Sequence, residues 1–579
     1  MSDEAVEHTA PIAQNQFARL TADLLRRIAK YLHPNDVAAN LKLVDSETAA
    51  CLRGEGYSVL QLCQRRTHRR STVTVAQDPW PSRDFVAHWG RPEPWQSLTL
   101  PQRRRLLCLA ASSHHGPSLE VALEHCRVPA PACVEVLEAA AAAGDVAACE
   151  RLLSTDQQGP RDYIVEFAVA AAAQEGQVAV LQRFAALGYA ASCSSLGSSA
   201  RAACYAGQPA ALAWLVERYP PGMYDDGHAW ELAIAAAEGG HPALAQQLLE
   251  GRAGHLAEAA ATAPGAEKLN LRRLLCGLAF GCPLPAFEHF HGYVPAGWGR
   301  VLDSVAAAGS VLSCIVCSVT PDWERKLAWL QELCRSSSSD CGAAGAADAA
   351  AGVPLAGLFG GAAAGRAGVY MDWAVAATRA DFAQRLRALH ATGFGFLGLA
   401  AEEVAEASAR RGDMEALSFV IDTLGGRVTG RVEQAAVSGG HLPLLQLTRK
   451  RGACFTPRDV VTAAGYQRWA AAQWLADAAA EDAEYGCDDE QYEGKVWADV
   501  FSHVARSGAP LSLLQHLHRE LGAAVDRAAV AAGGSLAAEQ WAASVTGAEP
   551  GTEVGSPAGA CVGEGLVSAV CGQGGTACG

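Results

Sequence analysis

The sequence predicts an all-α protein: an α-solenoid of helix-turn-helix repeats behind a small, separate helical head. Three observations carry that prediction. Half of the 579 residues are hydrophobic, yet only 7% are aromatic. Alanine makes up much of the excess, and it loses no side-chain entropy in a helix, whereas a β protein would need many more branched and aromatic residues. A short block also recurs along the chain, and the first 66 residues do not share it. The length suits several domains or one array of repeats.

The block is a small-residue pair, two variable residues, glycine and a polar residue, with apolar positions five and eight residues beyond the glycine. Its first four copies centre on Gly144, Gly176, Gly207 and Gly240, at steps of 32, 31 and 33 residues. Further copies fall near Gly309, Ala380-Asp381, Gly412, Gly440, Gly508 and Gly534, with a degenerate one near Gly281 and a weak one near Arg468. In each unit a first helix should end at the glycine, in a left-handed turn that other residues adopt poorly. The stretch beyond it, such as Val178 to Gly188, has helical apolar spacing. Pro209, Pro242 and Pro443 then fall in first turns, which need no amide donor. One hairpin cannot bury its apolar face, but a stack can.

A period near 33 with Ala-Ala-x-x-Gly-Asp/His and two helices resembles the ankyrin repeat, over roughly residues 106–545. The tetratricopeptide repeat is the rival, and its Trp-x2-Leu-Gly opening is absent. The ankyrin family's Thr-Pro-Leu-His opening is missing too. The resemblance implies a concave binding face formed by residues just before each turn: Gln174, Glu175, Tyr205 and Glu238 in the first half, and Arg410, Arg411, Ser438 and Arg506 in the second.

The head, residues 16–66, places Leu20, Leu24, Leu25, Ile28 and Leu32 at helical spacing. His33-Pro34-Asn35-Asp36 then breaks the helix, with Asn35 or Asp36 as the expected cap of the next one, and Val37, Leu41 and Val44 continue an apolar face. This resembles the F-box, with Thr21 where that family has proline. The resemblance implies that Leu20, Leu24, Leu25, Ile28, Leu32 and Pro34 meet a Skp1-like adaptor. A helical cap on the end of the solenoid is the alternative. The whole layout is similar to the F-box-like, divergent ankyrin-repeat proteins of volvocine green algae.

The remaining divisions follow from composition. Residues 1–15 are polar and expected to be disordered. Residues 67–105 are a connector rich in proline and tryptophan, expected to hold little helix and a short strand at Thr72 to Val75. Trp80, Trp89 and Trp95 should pack it onto the first repeats. Repeats fill 106–335 and 369–545. The low-complexity insert 336–368 and the Gly-rich tail 546–579 should be disordered, and Glu481 to Glu493 should be a solvated acidic loop.

The chemistry-bearing motifs are few. A net charge of −15 argues against general nucleic-acid or anionic-membrane binding. The opening residues lack an apolar signal segment, so the 19 cysteines are expected to be reduced thiols of a cytoplasmic or nuclear protein. The uncharged run Ser304 to Pro321 is a poor bilayer span. Cys314-x-x-Cys317 lacks a second ligand pair, and its repeat phase makes both cysteines core positions of a second helix. His114-His115 and His289-x-His291 are short of ligands as well. No P-loop, Gly-x-Ser-x-Gly or His-Glu-x-x-His motif occurs. The basic runs at Arg65–Arg70 and Arg103–Arg105 are most simply solvated helix ends. The expectation is a non-enzymatic scaffold for protein partners, without cofactor or metal; an enzyme embedded in a helical scaffold is the other class.

Overall fold

The computed structural model describes residues 20–53, 57, 59–63, 73–128, 134–154, 162–189, 193–218, 226–250, 265–293, 305–339, 372–392, 399–484 and 495–547. Among the described residues every regular element is a helix, and the β contact is an isolated antiparallel bridge between Cys63 and Ala76. The expected strand therefore does not form at Val73 to Val75. The next amide, Ala76 N, donates to Ser112 Oγ at 2.8 Å instead of continuing a ladder. Residues 1–15, most of the low-complexity insert and nearly all of the Gly-rich tail lie outside the described residues.

The head begins with α1 (Ala22–Tyr31), capped by Thr21, whose Oγ1 accepts from the Leu24 amide at 3.4 Å. Pro34 opens α2 (Pro34–Ala39). Because proline occupies the first helical position, the cap is two or three residues earlier than expected: His33 Nδ1, not Asn35 or Asp36, accepts from the Asn35 amide at 3.1 Å. Asn35 is instead a buried clamp. Its carboxamide donates to Gln61 O at 2.8 Å and to Pro79 O at 2.9 Å, and accepts from Gln61 N at 2.7 Å. A 3₁₀ turn and α3 (Ser46–Cys51) close a core of Ala29, Val37, Leu41 and Leu52. Val44, expected on that apolar face, is exposed.

The connector is more helical than expected, with α4 (Ser82–Trp89) and α5 (Pro92–Gln96). Its prolines start helices rather than break them. Pro92 lies in the first turn of α5, and Pro101 in that of α6 (Leu100–Ala111), where no amide donor is needed. The tryptophans pack as expected: Trp95 is fully buried with Nε1 on Trp89 O at 2.7 Å, and Trp80 Nε1 reaches Ser118 Oγ at 3.1 Å.

From α6 onward the described helices pair as hairpins. The first block has α6/α7 (Gly116–His125), α8 (Val134–Ala143)/α9 (Val146–Ser154), α10 (Asp162–Gln174)/α11 (Val178–Ala186), α12 (Cys193–Ala206)/α13 (Pro209–Val216) and α14 (Asp226–Gly239)/α15 (Pro242–Leu249). Next come α16 (Gly265–Gly281)/α17 (Leu284–Tyr293), α18 (Val305–Val316)/α19 (Trp323–Ser339), α20 (Trp373–Ala376)/α21 (Phe382–Ala391) and α22 (Leu399–Arg411)/α23 (Met414–Leu424). The last are α24 (Gly430–Gly439)/α25 (Leu442–Lys450), α26 (Pro457–Gly465)/α27 (Trp469–Glu484), α28 (Lys495–Arg506)/α29 (Leu511–Arg519) and α30 (Arg527–Gly533)/α31 (Leu536–Thr546). Even-numbered helices pack on one another along most of the series, most tightly from α8 to α16 and between α22 and α24, with only slight contact between α18 and α20; odd-numbered ones touch more loosely. The reason is side-chain size. Buried alanines such as Ala139–Ala142, Ala171–Ala173 and Ala235–Ala237 let the even helices approach, while Leu181, Phe184, Leu215 and Phe287 hold the odd ones apart. One continuous core runs from Phe85 to Ala542.

The array returns to its start. The amino end of α6 meets the carboxyl ends of α28 and α30. Arg103, 4% exposed, donates to Gly534 O at 3.2 Å and to Cys126 O at 3.3 Å, and α5 packs on α31. In a closed array the tightly packed layer lies on the shorter circumference, so the even helices form the inner layer.

Gly144, Gly176, Gly207, Gly240, Gly412, Gly440 and Gly508 all have positive φ at the hairpin turns, as expected. Two anchors differ. Gly309 lies inside α18, because one glycine costs a helix only about 1 kcal/mol relative to alanine and the true break is Ser318 to Pro321. Gly534 turns with φ −72° and ψ 177°, not in the left-handed region. The acidic segment is helical at its start, where Glu481 and Asp482 accept from Arg449 at 2.8 and 3.0 Å, and α19 runs on to Ser339, four residues into the expected insert.

Two outcomes test this architecture. A Cβ at Gly176 would lie 2.5 Å from Gln208 Oε1 on a left-handed backbone (φ 72°). Gly176→Val should therefore cost at least about 1 kcal/mol in thermal or chemical denaturation. Arg103→Met should cost about 1–3 kcal/mol and speed amide hydrogen exchange in α30 and α31, because two buried carbonyls lose their charged donor. Unchanged exchange there would rule out the seam.

Candidate interaction surfaces

The concave-face residues lie in one register, at the carboxyl ends of the even helices. Gln174, Glu175, Tyr205, Glu238 and Ser438 are half-buried, and Arg410, Arg411 and Arg506 are exposed. Several engage neighbours. Arg201 Nη2 approaches Glu238 Oε2 at 3.7 Å, Arg410 bonds Glu406 at 2.8 Å, Ser438 Oγ donates to Gln434 O at 2.8 Å, and Arg506 is 3.6 Å from Asp526.

The structure brings two of them, Gln174 and Tyr205, into one groove of about 460 Å³ over α12. Small residues make the groove: Gly197 and Ala202 form its floor, between Gln174 of α10 and His228, Glu231 and Leu232 of α14. Ser198 and Arg201 complete it and were missed in the sequence. They lie seven and four residues before Tyr205, on the same helical face, so the periodicity of the first helix was the available signal. Glu231 is held by both terminal nitrogens of Arg273 on α16. Next to the groove, α10 leaves Phe167 54% exposed on the inner layer, and α8 carries Glu135 and Glu138. Burial pushes the Glu138 carboxyl up to about 7, with Glu135 adding to the effect. Two further grooves, of about 620 and 460 Å³, share Thr456 and Arg458 in the second half, and none of the expected concave-face residues lines either.

In the head, the expected contact set divides. Leu25 is 4% exposed and belongs to the interior, which removes it from any contact surface. Leu24, Ile28 and Leu32, spaced four residues apart, are 46%, 37% and 39% exposed along one face of α1. Leu20 and Pro34 are half-buried.

The cysteine pair departs from expectation. Cys314 and Cys317 are not on a second helix: Cys314 lies near the end of the inner helix α18 and Cys317 just beyond it. The misplaced turn at Gly309 is the cause. Cys317 is buried with Sγ on Asp372 O at 3.3 Å, and burial pushes its thiol up to about 12. Cys314 is half-buried beside Cys276 of α16. Among the described residues no group of three or more His, Cys, Asp or Glu side chains is placed to hold a metal ion. No described helix is long and apolar enough to cross a membrane.

The most buried polar cluster was also invisible in the sequence. Lys326 of α19 is 0% exposed, and its Nζ donates to Ala279 O at 2.8 Å, Thr320 Oγ1 at 2.8 Å and Ser318 Oγ at 3.0 Å. Beside it, Arg385 holds Val316 O and Ser318 O at 2.8 and 2.9 Å, and Asp381 at 2.8 Å. Asp381 also accepts from Trp323 Nε1 at 2.8 Å. With no glycine to end α18 in a left-handed turn, Arg385 binds the carbonyls of Val316 and Ser318 at that break, while Lys326 ties its Ser318 and Thr320 hydroxyls to Ala279 O of α16. The cluster is a structural clamp closed to solvent.

A scan of protein-family models finds no match to this chain, and a search of curated proteins finds none either.

Burial lowers the Lys326 ammonium from 10.5 to about 8, with Asp322 opposing the shift. Between those values the unfolded chain binds a proton that the folded chain does not, so stability rises with pH across the window. Lys326→Met lacks this gain. Its stability measured relative to wild type should fall as pH goes from about 8 to 10.5, and parallel pH curves would count against the buried lysine.

Proposed function

We propose that this protein is a non-enzymatic scaffold for protein partners, built on ankyrin-like hairpins, and that it serves as a substrate adaptor of a ubiquitin ligase through an F-box-like head. The ankyrin-like reading is supported by the hairpins, the left-handed turn glycines and the alanine-lined inner layer. The adaptor reading rests on one observation: Leu24, Ile28 and Leu32 form an exposed apolar stripe on a head whose core is closed without them. Exposed apolar residues in a row are a contact surface more often than a chance pattern. A Skp1-like adaptor would cover the stripe, and the inner layer would hold the target.

The test is co-expression of the full chain with a Skp1-like adaptor. Leu24→Asp with Ile28→Asp should abolish co-purification, since charge would enter a buried contact, while the melting curve stays unchanged because neither residue is core. If the wild-type chain does not co-purify, the adaptor role is wrong. The scaffold role is tested separately. Proteins captured by the full chain should be lost with Tyr205→Ala, Arg410→Ala and Arg411→Ala combined, and retained with the head variant.

A further inference from the structure

The charges on the inner layer are uneven. Over α8 to α14 the even helices carry Glu135, Glu138, Glu166, Glu175, Glu231 and Glu238, against Arg201 and the neighbouring Arg273 of α16. Arg273 is committed to Glu231, and Arg201 lies 3.7 Å from Glu238. At the α8 end neither Glu135 nor Glu138 has a cationic partner among the described residues. On α10, Phe167 occupies the same register as Glu135, nine residues before the turn glycine, and Ala170 the register of Glu138. Glu231 and Arg273, each eleven residues before the start of the helix that follows, pair across α14 and α16, and Glu135 and Phe167 stand at that same distance before α9 and α11. The register thus sets the exposed ring of Phe167 on the helix packed next to the one that carries the two carboxylates, with the small Ala170 at the level of Glu138. The groove over α12 begins one helix further along.

We propose that the inner face of α8 to α14 docks an extended basic segment of a partner protein. One arginine or lysine lies between Glu135, Glu138 and the face of Phe167, and an apolar side chain further along fills the groove over α12. The inference rests on the scaffold reading and states the chemistry of its partner. A cation is attracted to the carboxylates and to the aromatic face together. The spacing follows from geometry. Neighbouring inner helices are roughly 8–10 Å apart, so the groove over α12 lies about 12–15 Å from a cation held between α8 and α10, and at about 3.3 Å per residue the apolar residue falls about four positions after the basic one. An acidic segment would instead meet a field of carboxylates.

The experiment is fluorescence anisotropy on the full chain at low salt. Three labelled nine-residue peptides are compared, each with a leucine four positions after the first charged site. One has two arginines, and the others have glutamates or glutamines in their place. The arginine peptide should bind at least about tenfold more tightly than either control. Glu135→Gln with Glu138→Gln should weaken it about tenfold, and Phe167→Ala about threefold. Arg458→Ala, in the second half, should leave it unchanged. Glutamine and alanine keep these surface helices intact, which far-UV circular dichroism verifies. Equal binding of the glutamate peptide, or arginine-peptide binding indifferent to the double substitution, overturns the proposal. If the arginine peptide does not bind while the Tyr205/Arg410/Arg411 variant still loses its captured partners, only the basic specificity falls and the scaffold stands.

Discussion

The rest of the structure depends on how closely the inner helices approach one another. Alanine permits that approach, since it presents a methyl group where leucine would present four carbons. Ala140, Ala172, Ala203, Ala236, Ala405 and Ala436 are all 0% exposed, so nothing larger fits without moving a helix. Because the outer layer carries leucine, phenylalanine and tryptophan, the two layers have different natural spacings. A two-layered array with unequal spacings must curve toward the tighter layer. Sustained over thirteen described hairpins, that curvature brings the last to the first, where Arg103 joins them.

Each turn contributes to the same result. The left-handed glycines reverse the chain within two or three residues, and the next hairpin's side chain packs directly over the glycine, as Gln208 does at Gly176. The array is thereby stitched along its edge as well as through its core. Ion pairs between successive outer helices, such as Arg151 with Glu120 and Arg387 with Glu415, lie on the surface and add little. Where the glycine is missing, after α18, Arg385 binds the carbonyls of Val316 and Ser318, and Lys326 binds the hydroxyls of Ser318 and Thr320. Buried cations are an expensive substitute for one glycine, and they tie this break to both flanking hairpins.

Closure shapes the functional surfaces. The inner layer becomes the face toward which Gln174, Tyr205, Arg410 and Arg506 are directed by their common register. Its acidic first half and its arginine-bearing second half are presented from opposite arcs of one array. The head is separate in kind: a small core of its own, joined to the array through Asn35, Trp80 and Ala76, with its apolar stripe left outside.

The helical class, the period and most of the turns were legible in the sequence, because alanine content, apolar spacing and turn glycines are local signals. Gly176 and Gly412 have the expected backbone for that reason. The sequence also marked Gln174 and Tyr205 by their place before the glycine. It could not tell Leu25 from Leu24, since only the packing of α1 on α2 and α3 decides which leucine turns inward. It misread Gly309, because Ala-Ala-Ala-Gly-Ser has the same letters inside a helix as at a helix end. The groove over α12 joins neighbouring inner helices, the clamp joins Lys326 to Ala279 and Arg385 to Val316 across 47 and 69 positions, and the seam at Arg103 spans 431. The first two exist only once hairpins stack, and the seam only once curvature has accumulated along the array, so tertiary structure alone decided them.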